Sequence, residues 1–430
     1  MKRLLLKARN KKETYFNKHI SDSDDEYLSD TEPILDLENI LVNSRYVFIS
    51  YLSRGTFSSV WLVYDLVQFE FRSAKIYSDP KNMEEFSNEE HIFSIISDIQ
   101  NDNIVKCLDI IEYNGYNIII MELLGITLLD IINDMNEKKL NLNIINVKEI
   151  YRQILEGYKG LHSNNIIHAD IKPDNIIFDI LPYYLGNMIN YITHLDIKQT
   201  FHHFFIRLTP PDYEDYHKNK KKNIKKKMRI RAIKATKDYI LEKILYFKNN
   251  NYDNKTYCTE MLLNNKFRVK IIDFSNSELG TDISQNALYT RPYRSLENII
   301  NINYTIKSEI WAIGCLFYEI ITCRNMFDIN PINKRDKDIE HIYNIYKTFD
   351  DNSYIDIIKN CDYYESFFIN NKLKIKNEYP VLTFKEKLIQ YSLVENKLSD
   401  TYGFLKLFFI FNTHLRPNTH ILLEHSYLCY

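Results

Sequence analysis

Apolar and polar positions first organise at Tyr46. Tyr46 to Ser53, Ser59 to Asp65 and Phe71 to Tyr77 are rich in Val, Ile, Phe, Tyr and Trp and read as β-strands. From Met83 to Ile99 the period changes: Phe86, Ile92, Phe93, Ile95, Ile96 and Ile99 fall at helical spacing. Two more strands are predicted at Ile104 to Tyr113 and Asn117 to Leu123. Past Gly125 the pattern is mainly helical, as in Val147 to His162 and Ile310 to Thr322. Five strands with one helix, followed by helices, predict an α+β fold in two lobes. The N-lobe is expected over 36–124 and the C-lobe over 125–430.

Two stretches break this order. Residues 1–35 pass from a basic start to Ser21-Asp-Ser-Asp-Asp-Glu26, with no apolar period, and read as a charged, disordered tail. Residues 180 to about 265 read as an insertion. They hold Pro210-Pro211, seven lysines among the ten positions from Lys218 to Lys227, and then Arg229 and Arg231. Ile240, Leu241, Ile244 and Leu245 sit at helical spacing, so one ordered helix is expected there. The lysine run is read as a solvated loop, with nuclear import as the next reading and a nucleic-acid or membrane-surface patch as the third, and nucleic acid is not the expected partner.

Composition adds limits. The 430 residues are 45% apolar, enough for a sizeable core, and a net charge of −2 selects no partner. None of the six cysteines forms a CxxC pair or a zinc-spaced Cys/His cluster, as in a reducing compartment. No run of 18 apolar residues occurs, and Glu122 interrupts the best stretch, so no membrane span is expected. Three leucines, Leu4 to Leu6, are too few for a signal-peptide core. The chain is expected to be an intracellular monomer, cytoplasmic with possible nuclear entry.

Four segments carry chemistry. Leu52-Ser-Arg-Gly-Thr-Phe-Ser-Ser-Val60 lies between two predicted strands, and a turn containing Gly55 lets backbone amides close over phosphates. Lys75, flanked by apolar residues on the third strand, needs a partner if buried. Glu89 on the following helix is preferred over Glu90, because Ile92 and Phe93 then face the sheet. His168-Ala-Asp-Ile-Lys-Pro-Asp-Asn175 has D-x-K-x-x-N spacing. Asp170 can accept a hydroxyl proton, Lys172 can neutralise a transferring phosphoryl group, and Asn175 can hold magnesium. Asp273 ends the apolar strand Val269-Lys-Ile-Ile, where a carboxylate can bind magnesium.

In order and type these segments resemble the eukaryotic serine/threonine protein kinases. The SR-protein kinases are the nearest, with the LAMMER-type kinases next. The resemblance runs from about residue 33 to the end, apart from the insertion. It is most specific in Arg45-Tyr46-Val47, Thr56 to Leu62, Met121-Glu-Leu-Leu-Gly125 and Leu288 to Glu297. Those kinases also carry a long insertion before the magnesium aspartate, and here 103 positions separate Asp170 from Asp273. The resemblance implies ATP and Mg²⁺ as cofactors and the two-lobed protein-kinase fold. It makes Met121 the gatekeeper and gives adenine to the backbone of Glu122 and Leu124. It pairs Glu297 with Arg416 and sets Thr290 beside Asp170. Arg335 to His341 resembles the start of a helix that docks basic peptides, which implies Arg/Ser-rich protein substrates.

Four positions depart from the family pattern. Ala169 stands where an arginine usually grips an activation-loop phosphate, so a constitutively competent enzyme without phosphate gating is expected. Ser275 and Ser53 stand at usual glycines, and Glu309 at the aspartate that braces the catalytic loop. The lost glycines motivate the alternative, a pseudokinase scaffold. The essential charged groups Lys75, Asp170, Asn175 and Asp273 are all present, so activity is expected.

Overall fold

The protein is described by a computed structural model. It covers residues 37–429, except 56–57, 78–82, 139–141, 251–261, 263–265, 281–289, 301, 303, 328, 330–333, 351–357, 360–363, 371, 376–377 and 393–397. The expected tail at 1–35 lies outside the described residues, as do Thr56-Phe57, Leu288-Tyr289 and the side chains of Arg335 and Asp336.

The N-lobe is one antiparallel sheet with one helix. Its elements are β1 (Leu41–Val42), β2 (Tyr46–Arg54), β3 (Ser58–Asp65), β4 (Glu70–Tyr77), α1 (Met83–Ile96), β5 (Cys107–Tyr113) and β6 (Tyr116–Glu122). The strand order is β1-β2-β3-β4-β6-β5. The five expected strands are there, joined at one edge by the two-residue β1, which is too short to show alternation. Strand period 2 sorts the side chains into two faces. Trp61, Val63, Ala74, Ile76, Ile118 and Ile120 share a core on one face. Leu62, Tyr64 and Phe71 pack on the other, and so does Lys75 by its register opposite Val60 and Ile119.

The C-lobe opens with α2 (Leu128–Lys138) and α3 (Ile144–His162). Asn143 caps α3 by accepting the Asn146 N–H at 2.8 Å. Then come the short strands β7 (Ile166–Ile167) and β8 (Ile176–Phe178), which flank the run from His168 to Asn175. Gly125 joins the lobes where only glycine fits: a Cβ there would lie 1.7 Å from the Ile180 carbonyl oxygen.

The insertion differs from expectation. It holds three helices, α4 (Tyr183–Thr193), α5 (Ile197–Arg207) and α6 (Lys218–Asn250). The lysine run is the start of α6 and not a loop. No Gly or Pro occurs over these 33 residues, and Lys, Ala, Ile and Leu propagate a helix well. The anchor is apolar. Ile233, Ile240, Ile244 and Phe247 of α6, with Met188, Ile192 and Ile197, pack on Val47, Ile49, Leu62, Tyr64, Leu66 and Phe71 of the N-lobe. The helical spacing at Ile240 and Ile244 was legible; the partner surface on another lobe was not.

After the insertion come β9 (Val269–Ile271), β10 (Glu278–Leu279), α7 (Leu296–Ile299), α8 (Ile306–Thr322) and α9 (Lys334–Phe349). Helix α8 is buried at every position from Ser308 to Thr322. It starts with a capping box between Thr305 and Ser308. Around its Trp311 lie the rings of Phe327, Phe349, Phe409 and Phe411. Among the described residues no helix is long and apolar enough to cross a membrane, and the described cysteines Cys107, Cys315, Cys323 and Cys429 are free thiols.

Candidate active site

Two polar clusters meet between the lobes. The first centres on Lys75. Its Nζ lies 2.7 Å from Glu89 Oε2 and 2.8 Å from Asp273 Oδ1. Burial opposes the charge on Lys75, but the carboxylates of Asp273 and Glu89 outweigh it and hold its pKa well above the ordinary lysine value. Burial likewise works against the Asp273 charge, yet Lys75 and the Ser275 hydroxyl hold that carboxyl well below its usual range. Glu89 is fully buried. It also accepts the Tyr77 hydroxyl and, at 3.0 Å, the Phe274 N–H. The choice of Glu89 over Glu90 agrees with this geometry, since Glu90 faces solvent.

The second cluster is the run from His168 to Asn175 between β7 and β8. Asp170 Oδ2 accepts Lys172 Nζ at 2.6 Å and Asn175 Nδ2 at 3.0 Å. Its Oδ1 accepts the Thr290 hydroxyl at 2.9 Å. Burial works against the Lys172 charge, and the adjacent Asp170 raises its pKa in spite of it. The His168 ring is fixed by its partners: Nδ1 faces the Asp170 N–H at 3.3 Å, so Nε2 carries the proton and donates to the Ile272 carbonyl at 2.9 Å.

The backbone here is held against its preference. Ala169 has φ +64° and Asp273 φ +66°, a region that costs a non-glycine residue roughly 1–2 kcal/mol. Glu309 supplies the compensation at Ala169. Its carboxylate is fully buried and accepts the Ala169 N–H at 3.0 Å and the His168 N–H at 3.3 Å. His162 Nε2 lies 2.8 Å from Oε2, the oxygen that also takes the His168 N–H. The extra methylene of glutamate still reaches the loop. At Asp273, Ser275 donates its hydroxyl to Oδ1 at 2.7 Å, so the serine at the usual glycine position steadies the aspartate beside it.

The remaining expected residues line the same cleft. Gly55 N–H donates to the Ser58 carbonyl at 2.8 Å, closing the turn between β2 and β3. Val60 stands opposite both Ser53 and Lys75, and Leu52 is largely exposed on β2. Met121 and Glu122 end β6. The Glu122 side chain turns away to Lys270 Nζ at 2.7 Å. Its carbonyl accepts the Ser73 hydroxyl at 3.0 Å. Among the described residues the Leu124 N–H and C=O have no hydrogen-bond partner. Below the cleft Arg416 pairs with Glu297 at 2.7 Å, both buried. In α9, Asp338 is not free for a ligand: it pairs with Arg291 at 2.6 Å.

The donor set fits a hard cation. Asn175 spends its amide nitrogen on Asp170, and its oxygen accepts nothing among the described residues. Asp273 engages Oδ1 with Lys75 and Ser275 and leaves Oδ2. Two protein oxygens fall short of a cage but match magnesium, which completes its sphere with phosphate and water.

Sequence reasoning missed several members. Asn88, next to Glu89, donates to the carbonyls of Ser275 at 2.9 Å and Ser277 at 2.7 Å. Ser277 in turn donates its hydroxyl to the His168 carbonyl at 3.2 Å. No residue-type signal marks such side-chain-to-backbone ties. Lys270 had one, a lysine inside the apolar strand Val269–Ile271 that needs a buried partner.

Comparison with known proteins places the chain. A family described as the protein kinase domain matches residues 46–183 and 258–428, leaving out most of the three-helix insertion. Dual specificity protein kinase CLK2 of Homo sapiens is 24% identical over 283 residues, covering 65% of this chain and 43% of that protein. Protein kinase dsk1 of Schizosaccharomyces pombe is 24% identical over 355 residues, covering 70% and 65%. Serine/threonine-protein kinase SKY1 of Saccharomyces cerevisiae is 32% identical over 152 residues, covering 32% and 20%. The chain therefore spans less than half the length of CLK2. A crystal structure of a kinase domain superposes with a TM-score of 0.60 at 20% identity, covering 91% of this chain and 97% of the other.

Proposed function

The chain belongs to the protein kinase family, and we propose that it transfers the γ-phosphoryl group of ATP to serine or threonine hydroxyls of proteins, preferring Arg/Ser-rich segments. The observation that carries this reading is the Asp170 carboxylate. It is held by Lys172 and Asn175 on one oxygen and faces the Thr290 hydroxyl with the other.

In this reading the purine edge lies against the Leu124 N–H and the Glu122 carbonyl. Met121, Val60 and Leu52 give the base apolar surroundings. Lys75, fixed by Glu89, holds the phosphates, and the turn at Gly55 closes over them. Asn175 and Asp273 would hold magnesium through their unused oxygens; the ion supplies charge neutralisation at the phosphate oxygens. Asp170 orients the acceptor hydroxyl and takes its proton as the new oxygen–phosphorus bond forms. The bond between the β-bridging oxygen and the γ-phosphorus breaks, and ADP leaves. Lys172 neutralises the moving phosphoryl group, and Thr290 places the acceptor.

No activation-loop phosphate is required in this scheme. Ala169 offers no cation for one, and other bonds support the same arrangement. Asn88 ties α1 to Ser275 and Ser277, and β10 pairs with β7 through Glu278 with Ile167 and Leu279 with Ile166. Nothing among the described residues favours a non-catalytic scaffold, since Lys75, Asp170, Asn175 and Asp273 meet in one cleft.

The arginine preference rests on the resemblance around α9, with Asp338 already committed to Arg291. Radiolabel transfer from ATP to an Arg-Ser repeat peptide tests it. Faster transfer to that peptide than to a lysine-rich peptide is expected. Equal rates on the two would remove the preference, and no transfer to any peptide or protein hydroxyl would remove the activity.

A further inference from the structure

Helix α6 has two different halves. From Ile233 onward Ile233, Ile240, Ile244 and Phe247 pack on the N-lobe. Ahead of Met228, Lys218, Lys220, Lys222, Lys225, Lys226 and Lys227 are all exposed. Between Lys218 and Lys237 there are eleven Lys and Arg and no Asp or Glu. Only Lys221 among them has an ion-pair partner among the described residues, Glu214 at 2.7 Å. Like charges three and four apart on a helix repel, so this half is held in shape by its anchored continuation while its charge stays unneutralised. Lys220, Lys227, Arg231 and Lys234 recur at i, i+7, i+11 and i+14, one stripe about 21 Å long.

We propose that this basic half of α6 is a docking surface for single-stranded nucleic acid. A solvated loop would make no such stripe; a rigid helix does. Two tyrosines precede the helix. Lys220 Nζ lies 3.5 Å from the Tyr216 ring centroid, and Lys221 Nζ lies 5.6 Å from that of Tyr213. Both rings are partly exposed. Cations that track a phosphate backbone beside rings on which bases stack are the means by which single strands are held without sequence preference. A membrane surface fits less well, because an interfacial helix needs an apolar face, and Ile224 is the only aliphatic residue from Lys218 to Lys227. The inference is independent of the catalytic reading.

Fluorescence polarisation of the full chain with a labelled 20-nucleotide oligo-U tests it across a salt series. Neutralising about six phosphates gives a log–log salt slope of about −4, so affinity falls about 100-fold from 0.1 to 0.3 M salt. Changing Lys220→Glu, Lys227→Glu and Arg231→Glu together is expected to cost at least ~10-fold at 0.1 M and to shrink the slope by about 2. The same three positions changed to Gln, which disturb the helix less, are expected to show a smaller loss in the same direction. Tyr216→Ala is expected to weaken the oligonucleotide and leave inorganic polyphosphate unaffected. Lys372→Glu, Lys385→Glu and Lys406→Glu, exposed elsewhere, are expected to change little for the same change in net charge. The proposal is overturned if the stripe variants bind as the parent does, or if the control triple loses as much. Polyglutamate or phosphatidylserine vesicles bound as tightly as oligo-U would also overturn it.

Discussion

Replacing Glu309 probes how the catalytic loop is held. Its carboxylate takes two buried backbone N–H groups, of His168 and Ala169, and meets His162 Nε2 at the oxygen that accepts the His168 N–H. Each N–H left without an acceptor costs about 1–3 kcal/mol. The left-handed Ala169 carries its ~1–2 kcal/mol of strain with or without the carboxylate, so that strain does not enter the difference. Glu309→Ala is therefore expected to lose about 4 kcal/mol of stability. Glu309→Gln keeps one oxygen and turns an NH2 toward a donor, so about 1–3 kcal/mol is expected. Activity follows, because Asp170 is the next residue, and a shift of about 1 Å in a catalytic group costs on the order of 100-fold. Glu309→Asp retracts both oxygens but keeps them as acceptors, and should fall between the parent and Gln. Thermal unfolding and kcat on a peptide substrate, measured on all three variants, give the order Asp, Gln, Ala from mildest to worst. If Glu309→Gln matches the parent in both midpoint and kcat, the carboxylate is not the brace.

Three other perturbations follow from individual contacts. Burial pushes the Glu319 carboxyl up to about 7, against the lowering effect of the Tyr293 hydroxyl it accepts. A native pKa above the unfolded one means the stabilisation is complete below about pH 4 and falls away as pH rises to about 7, by about 3 kcal/mol. Unfolding midpoints at pH 5 and pH 8 should therefore differ less in Glu319→Gln than in the parent; an unchanged difference would show that Glu319 is already ionised. Asn88→Ala should lower kcat several-fold with little change in peptide KM, and Asn88→Asp should be worse, because it sets a carboxylate against the Ser275 and Ser277 carbonyls. Parent-like activity in both variants would mean that the tie does not position α1. Arg416→Leu leaves Glu297 buried without its partner and should cost about 3–5 kcal/mol. Adding Glu297→Leu should recover much of that loss in urea unfolding, and a purely additive double variant would contradict the pairing.

The sequence carried the parts of the site that are chemically obligatory. A lysine inside an apolar strand demands a carboxylate, and the D-x-K-x-x-N spacing places three polar side chains on one short turn. Lys75, Glu89, Asp170, Asn175 and Asp273 were legible for that reason. Strand and helix existence followed from period, while ends shifted by a few residues, as at Ile96 against the expected Ile99. What stayed hidden depended on tertiary partners. The three insertion helices owe their anchor to N-lobe side chains some 120 to 200 positions earlier in the chain, which no local pattern reveals. The lysine run looked like a loop because its charge outweighed its helix propensity. Asn88 and Ser277 act on backbone carbonyls, and carbonyls leave no trace in residue type.

The central claim, that the Asp170 constellation transfers phosphoryl groups, is tested most directly in a single-turnover experiment. The purified chain would be mixed with magnesium, radiolabelled ATP and an Arg-Ser peptide, beside Asp170→Asn, a nearly isosteric variant that has no base. The account predicts label on serine in the parent and a loss of at least about 100-fold in rate in the variant, with ATP binding retained. Equal rates in the two proteins, or none in a parent that binds ATP, would contradict it.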